Sequence, residues 1–158
     1  VMQKITPMLW FDQEAEDAAN HYVRIFKDGK IINVARYSEA GPGAPGSVMV
    51  VEFELQGQRF TALNGGPHFK FSEAVSFVID CKDQAEVDYF WAALLEGGGK
   101  ESQCGWLKDK FGFSWQVVPE RALELLQHPD AGVRKRVAEA VYKMIKLDLA
   151  AIERAAKG

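Results

Sequence analysis

Apolar positions along this chain change period several times, and each change marks an element. Residues 5–11 form a short apolar run of the buried-strand kind. Residues 14–25 then carry Ala15, Ala18, Ala19, Tyr22 and Ile25 at helical spacing, continued by Phe26. Asp12 stands in front as a candidate cap, and Asp28-Gly29 stops the helix. Residues 31–37 read as a strand. Two prolines and three glycines exclude regular structure from residues 41–46. Residues 48–55 alternate Val51, Phe53 and Leu55 against Glu52 and Glu54, and residues 58–63 follow after Gln56-Gly57. That pattern predicts a hairpin.

The same order of strand, helix and three short strands then recurs. Residues 74–81 form an apolar strand, Asp83 can cap a helix running to Leu95, and three glycines from Gly97 end it. Residues 100–103, 105–108 and 114–118 are three short segments separated by turn residues. A shift of 70 residues carries 5–11 onto 75–81, Ala15-Glu16 onto Ala85-Glu86 and Ile25 onto Leu95. One offset matching a strand, an acidic helix start and apolar helix positions suggests an internal repeat.

After Pro119 the chain changes character. Residues 120–127 form a short helix, and Pro129-Asp130 a turn and restart. Val133, Val137, Val141, Met144/Ile145, Leu149 and Ile152 make an amphipathic stripe, which must pack on the domain body or on a second subunit.

Composition narrows the classes of function. A chain of 158 residues, 47% hydrophobic and 26% charged, is a globular domain and not a disordered segment. The net charge of −3 and the lack of a basic stripe exclude nucleic acid as a partner. No apolar run reaches the roughly 18 residues of a membrane span, and no basic-then-apolar leader opens the chain. Cys81 and Cys104 are too few for a disulfide scaffold and read as free thiols in a reducing compartment. The expectation is one soluble, cytoplasmic domain.

Candidate chemistry is sparse. Residues 41–46 match a G-x-G-x-x-G string, but a strand follows where a dinucleotide site needs a helix N-terminus. Gly97–Lys100 lacks the spaced glycine of a P-loop, and Glu101 stands where a magnesium-binding hydroxyl would be. Asp12-Gln13-Glu14 occupies the place of an S-adenosylmethionine-type glycine loop. His21 reads as a partly exposed structural residue and His128 as a helix-end residue, whereas His68 lies in an irregular loop. No histidine pair has metal-ligand spacing, and Cys104 has no obvious base beside it. Trp91 on its helix reads as core. Trp10, Trp106 and Trp115 fall on strands with phenylalanines nearby, either as core or as the aromatic lining of a small-molecule pocket.

The paired modules resemble the vicinal oxygen chelate superfamily, which includes glyoxalase, bleomycin-resistance proteins and extradiol dioxygenases. More closely, the chain resembles the PhnB-like branch often labelled 3-demethylubiquinone-9 3-methyltransferase. The strings that carry this are Met8-Leu-Trp-Phe-Asp12, Ala62-Leu-Asn-Gly-Gly-Pro67, Phe71-Ser-Glu-Ala-Val-Ser-Phe77, Gln103-Cys-Gly-Trp-Leu107 and Asp109-Lys-Phe-Gly-Phe-Ser-Trp-Gln116. The resemblance implies an α+β fold in which two βαβββ modules form a curved mixed sheet around a cavity, with C-terminal helices added. Module one would span residues 3–66, module two 72–118 and the helical extension 119–158, all within one glyoxalase-like domain.

Enzymes of this superfamily set His or Glu metal ligands on the first and last strands of each module. Thr6, Ser76 and Gln116 occupy such strands here, and residues 59–63 carry no His, Glu or Asp. A site of neutral oxygens is a weak one for a divalent metal. The sequence therefore leads to a metal-free protein without cofactor, a homodimer binding a small apolar or aromatic molecule. Its expected lining is Trp10, Tyr37, Asn64, His68, Phe71, Gln103, Trp106, Trp115 and Gln116. Two alternatives stand beside it: a lyase, isomerase, dioxygenase or methyltransferase, and an interaction protein acting through its C-terminal helix.

Overall fold

In the computed structural model, which describes residues 3–158, the elements fall into two units, one ending at Phe71 and the other running from Ser72 to Gly158. The first holds β1 (Met8–Phe11), α1 (Ala15–Ile25), β2 (Lys30–Arg36), β3 (Val48–Leu55) and β4 (Gln58–Asn64). They form a four-stranded mixed sheet of order β1-β4-β3-β2, with β1 parallel to β4 and the other pairs antiparallel. Helix α1 packs on β3 and β4. Its Ala15, Ala18, Ala19, Tyr22 and Ile25 are buried, as are Leu9, Phe11, Val51, Phe53 and Ala62 of the strands. The hairpin turn falls at Gln56 and Gly57, with φ of 51° and 76°. Positive φ at both central residues is what a two-residue turn needs to match the twist of its strands.

Two details differ from the sequence reading. The first strand begins at Met8, not at residue 5, and Ile5 is exposed. Pro7 has no N–H with which to continue the ladder. Asp12 does not cap α1: the N-cap is Glu14, whose side chain makes no capping bond, and the Ala15 amide is met by Asn64 of β4 instead.

The second unit repeats the topology with β5 (Ser76–Cys81), α2 (Gln84–Leu95), β6 (Lys100–Glu101), β7 (Trp106–Lys108) and β8 (Ser114–Pro119), in order β5-β8-β7-β6. Here the expected cap is present. Asp83 accepts from the Glu86 amide at 2.9 Å, and the Glu86 carboxylate accepts from the Lys82 amide at 2.8 Å. Such reciprocal bonds satisfy donors that a helix start leaves open. The 70-residue offset carries α1 onto α2 and the start of β2 onto that of β6, and fails from β3 on, because the last strands of module two are shorter.

The C-terminal stripe is two helices after α3 (Glu120–Leu126): α4 (Ala131–Val141) and α5 (Leu149–Lys157). Val137, Val141, Leu147 and Ile152 bury with Val118, Ala122 and Leu125 in one cluster, so the stripe packs on its own unit. Ile145 lies in the connection and is exposed. That connection is fastened twice. Gln84 donates to the Leu147 carbonyl and accepts from the Leu149 amide, and the Met144 and Ile145 carbonyls accept from the Cys104 and Gly105 amides. Among the described residues no helix is long and apolar enough to cross a membrane.

Candidate functional site

Each sheet has two faces, and strand alternation decides which residues share one. In the second unit, ladder partners place Val78, Gln116 and Trp106 in one row, and Ser76, Ser114 and Lys108 in the next. Both rows lie on one face. Gln116 donates through Nε2 to Ser76 Oγ at 3.0 Å. Trp106 and Gln116 are half-buried, and Val78 is 50% exposed.

Trp115 is on the other face. Its ring lies 5.5 Å from Phe77 and 5.8 Å from Phe113, and its indole N–H donates to Asp109 Oδ2 at 2.9 Å. Only 2% of Trp115 is exposed. Adjacent strand residues cannot line one surface, so grouping Trp115 with Gln116 fails on alternation. Asp109 also accepts from the Phe111 and Phe113 amides through Oδ1. It ties the β7–β8 turn to the packed interior. Sequence inspection missed this residue, although an Asp three residues ahead of Gly112 is the signal of a side chain bonding its own turn. Gln103 is exposed, and its carbonyl accepts from the Trp106 amide.

In the first unit, Trp10 pairs with Leu63, and Leu63 with Val50, on the face away from α1. The Trp10 indole donates to the Gly66 carbonyl at 2.9 Å, and Phe69 meets its ring edge-on at 4.9 Å. A Cβ on Gly65 would stand 2.3 Å from Trp10 Cζ2, so only glycine fits there. Phe71 packs instead against buried Phe11, with centroids 5.2 Å apart.

Tyr37, Asn64 and His68 come together at a cleft of about 720 Å³ beside the start of α1, with Asp12, Glu16 and Asp17 on its wall. Glu16 and Asp17 lie in the first turn of α1, where the helix dipole favours carboxylates. Asn64 is structural on both sides. Its Oδ1 accepts from Ala15 N at 2.8 Å, its Nδ2 donates to the Val48 carbonyl at 3.1 Å, and its carbonyl accepts from the Tyr37 hydroxyl at 2.5 Å. His21, expected to be partly exposed, is 93% buried in α1 beside Tyr22.

Burial and neighbouring Glu86 push the Cys81 thiol up to about 12. Glu73 is held below the usual carboxylate range by its hydrogen bond and charge pairing with Lys108, at 2.6 Å.

The family model for 3-demethylubiquinone-9 3-methyltransferase matches residues 3–118. The chain belongs to that family. The PhnB protein from Bacillus cereus is 34% identical, with a TM-score of 0.67 over 74% of this chain and 99% of that one. The protein PA1353 from Pseudomonas aeruginosa is 19% identical, with a TM-score of 0.63 over 75% of this chain and 98% of that one. The fosfomycin resistance protein FosX from Listeria monocytogenes, solved with Mn(II) and sulfate, is 11% identical, with a TM-score of 0.52 over 80% of this chain and 97% of that one. No curated protein matches. The family and these likenesses together assign the vicinal oxygen chelate superfamily, and the expected α+β architecture of two repeated modules with added helices is the one observed.

The metal implied by that superfamily does not fit this donor set. Among the described residues no three His, Cys, Asp or Glu side chains stand together where an ion could be held. Ser76 and Gln116, on the strands where ligands would stand, bond each other as neutral groups. A methyl donor of nucleotide type fits no better at the first strand–helix turn. That turn has no glycine loop, and the first amide of α1 is already bonded to Asn64.

Proposed function

We propose that the protein binds a small apolar or aromatic molecule on its sheet faces without a metal. The observation that carries this is the row of Trp106, Gln116 and Val78. An indole and a branched aliphatic flank one amide, the usual make-up of a small-molecule site: apolar lining with few placed polar groups. Trp10 offers a second indole, held rigid by Gly66 and Phe69. Within this reading the protein works as a cytoplasmic homodimer, which light scattering on the purified chain tests.

Elemental analysis of protein purified without chelator, followed by a thermal-shift screen of aromatic compounds, tests the function. Less than a tenth of an equivalent of metal and at least one compound raising Tm support it, since a ligand selective for the folded state must stabilise it. About one equivalent of manganese, zinc, iron or nickel overturns it. A compound that shifts the fluorescence of the native protein but not of Trp106→Phe places the site at Trp106. The family name supplies a second reading, methyl transfer, and calorimetric binding of S-adenosylmethionine would favour it.

A further inference from the structure

We infer that the face of β5, β8 and β7 recognises an uncharged planar ring bearing both a hydrogen-bond acceptor and a donor, such as a lactam. This rests on the proposed function and gives its ligand a chemical class.

Ser114 is 99% buried, and among the described residues its Oγ has no hydrogen-bond partner. Buried polar atoms in folded proteins are almost always bonded, so an exception needs an explanation. Ser114 sits between Ser76 and Lys108 in the ladder, and two residues along its strand from Gln116. Alternation aims it at the same face as Trp106.

Gln116 is also only partly used. Its Nε2 donates once, to Ser76. A side-chain amide has two N–H groups and a carbonyl, so one donor and the acceptor remain. The central groups of this face are therefore two hydroxyls, one amide and one indole, all neutral. Charge lies only at the margins. Lys108 is paired with Glu73 at 2.6 Å, Lys100 pairs with Lys108 at the sheet edge, and Asp80 lies opposite Val118 at the other end.

An anion on this face would find hydrogen-bond donors but no unpaired cation at its centre, and would compete with Glu73 for Lys108. A plain hydrocarbon would cover the amide and leave it unsatisfied, which is costly. A flat ring with a carbonyl beside an N–H can rest on Trp106 and exchange bonds with Gln116 and Ser114. Sites built to bond a polar group discriminate strongly against analogues that lack it.

Equilibrium dialysis with three probes of similar size tests this: 2-quinolinone, naphthalene and 1-naphthoate. The expected result is binding of 2-quinolinone about tenfold tighter than either of the others, the worth of one to two net hydrogen bonds. Ser114→Ala and Gln116→Leu should each weaken 2-quinolinone about fivefold and leave naphthalene unchanged. Gln116 is half-exposed, so its variant is informative even where Ser114→Ala fails to fold. Naphthalene binding as tightly as 2-quinolinone overturns the inference while leaving an apolar site in place. Tighter binding of 1-naphthoate overturns it in favour of Lys100 and Lys108. Failure of all three probes to bind retires the inference, and an empty thermal-shift screen besides would retire the proposed function itself.

Discussion

Trp115 and Gln116 are consecutive in the chain and stand back to back in the sheet. The indole of Trp115 is anchored to Asp109 among Phe77 and Phe113, whereas the amide of Gln116 reaches Ser76 on the opposite surface. One strand thus carries a packed face and, opposite it, the face proposed for recognition. Trp115→Phe removes the indole bond to Asp109 Oδ2 and should cost about 1–3 kcal/mol in urea denaturation. Probe affinity relative to wild type should stay within a factor of two, roughly the noise of such a comparison. A tenfold loss of affinity in a folded Trp115→Phe protein would mean that the face assignment is wrong.

Asn64 holds the start of α1 from another element. Asn64→Ala strips the cap from Ala15 and the donor from the Val48 carbonyl, and should cost about 1–2 kcal/mol. Asn64→Asp keeps an acceptor for Ala15 and loses only the donor, so it should fall between the two. Equal destabilisation by both variants would show that the Val48 bond, and not the cap, carries the effect.

Acid should loosen the connection between α4 and α5. Lys146, and after it Gln84, hold Asp88 below the usual carboxylate range. A carboxyl whose folded value is lowered stabilises above its unfolded value and loses that contribution as pH falls through the folded one. The protection of the Leu149 amide against hydrogen exchange, relative to its intrinsic rate, should therefore fall below about pH 4, since that amide is bonded to Gln84. Asp88→Asn should show fast exchange at neutral pH and a flatter pH profile. Because the pair is solvent-exposed, the effect on global stability should be small.

The two cysteines should differ in reactivity. Burial raises the Cys81 thiol to about 12, so it stays protonated where an exposed thiol ionises. Disulfide-exchange reagents at pH 8 should label Cys81 only on unfolding. The sign is fixed: the folded state holds its proton more tightly, so this contribution is present below the unfolded thiol value and is lost as pH rises above it. Prompt labelling of Cys81 in Cys104→Ser protein would contradict that burial.

The fold was legible because local and global signals agreed. Alternation at Val51, Phe53 and Leu55 and the Gln56-Gly57 turn specified a hairpin whose strands begin where expected, at Val48 and Gln58. Asp83 capped α2 as its position predicts. The site was less legible, because its placement depends on contacts distant in sequence. Asn64 looks like a ligand amide in a loop-adjacent string, but its partners Ala15 and Val48 lie 49 and 16 residues away. Trp115 and Trp106 look alike in composition, and only strand register separates them. The stripe after Pro119 was seen, but its break near Met144 was not. Those residues follow the Cys104–Gly105 backbone, a tertiary demand that helical periodicity does not record.

The family match stops at residue 118, yet Val118 shares its cluster with Val137, Val141, Leu147 and Ile152. The consequence falls on synthesis. The four strands of the first sheet and the helix packed on it all lie before Phe71, so they can pair while the ribosome is still translating the second module. The second sheet differs: a nascent chain that has emerged only to Pro119 leaves Val118 without the α3, α4 and α5 residues that bury it. Its folding must wait until Ile152 leaves the exit tunnel. Pausing or premature termination between those points would release a chain with one finished half and one adhesive half.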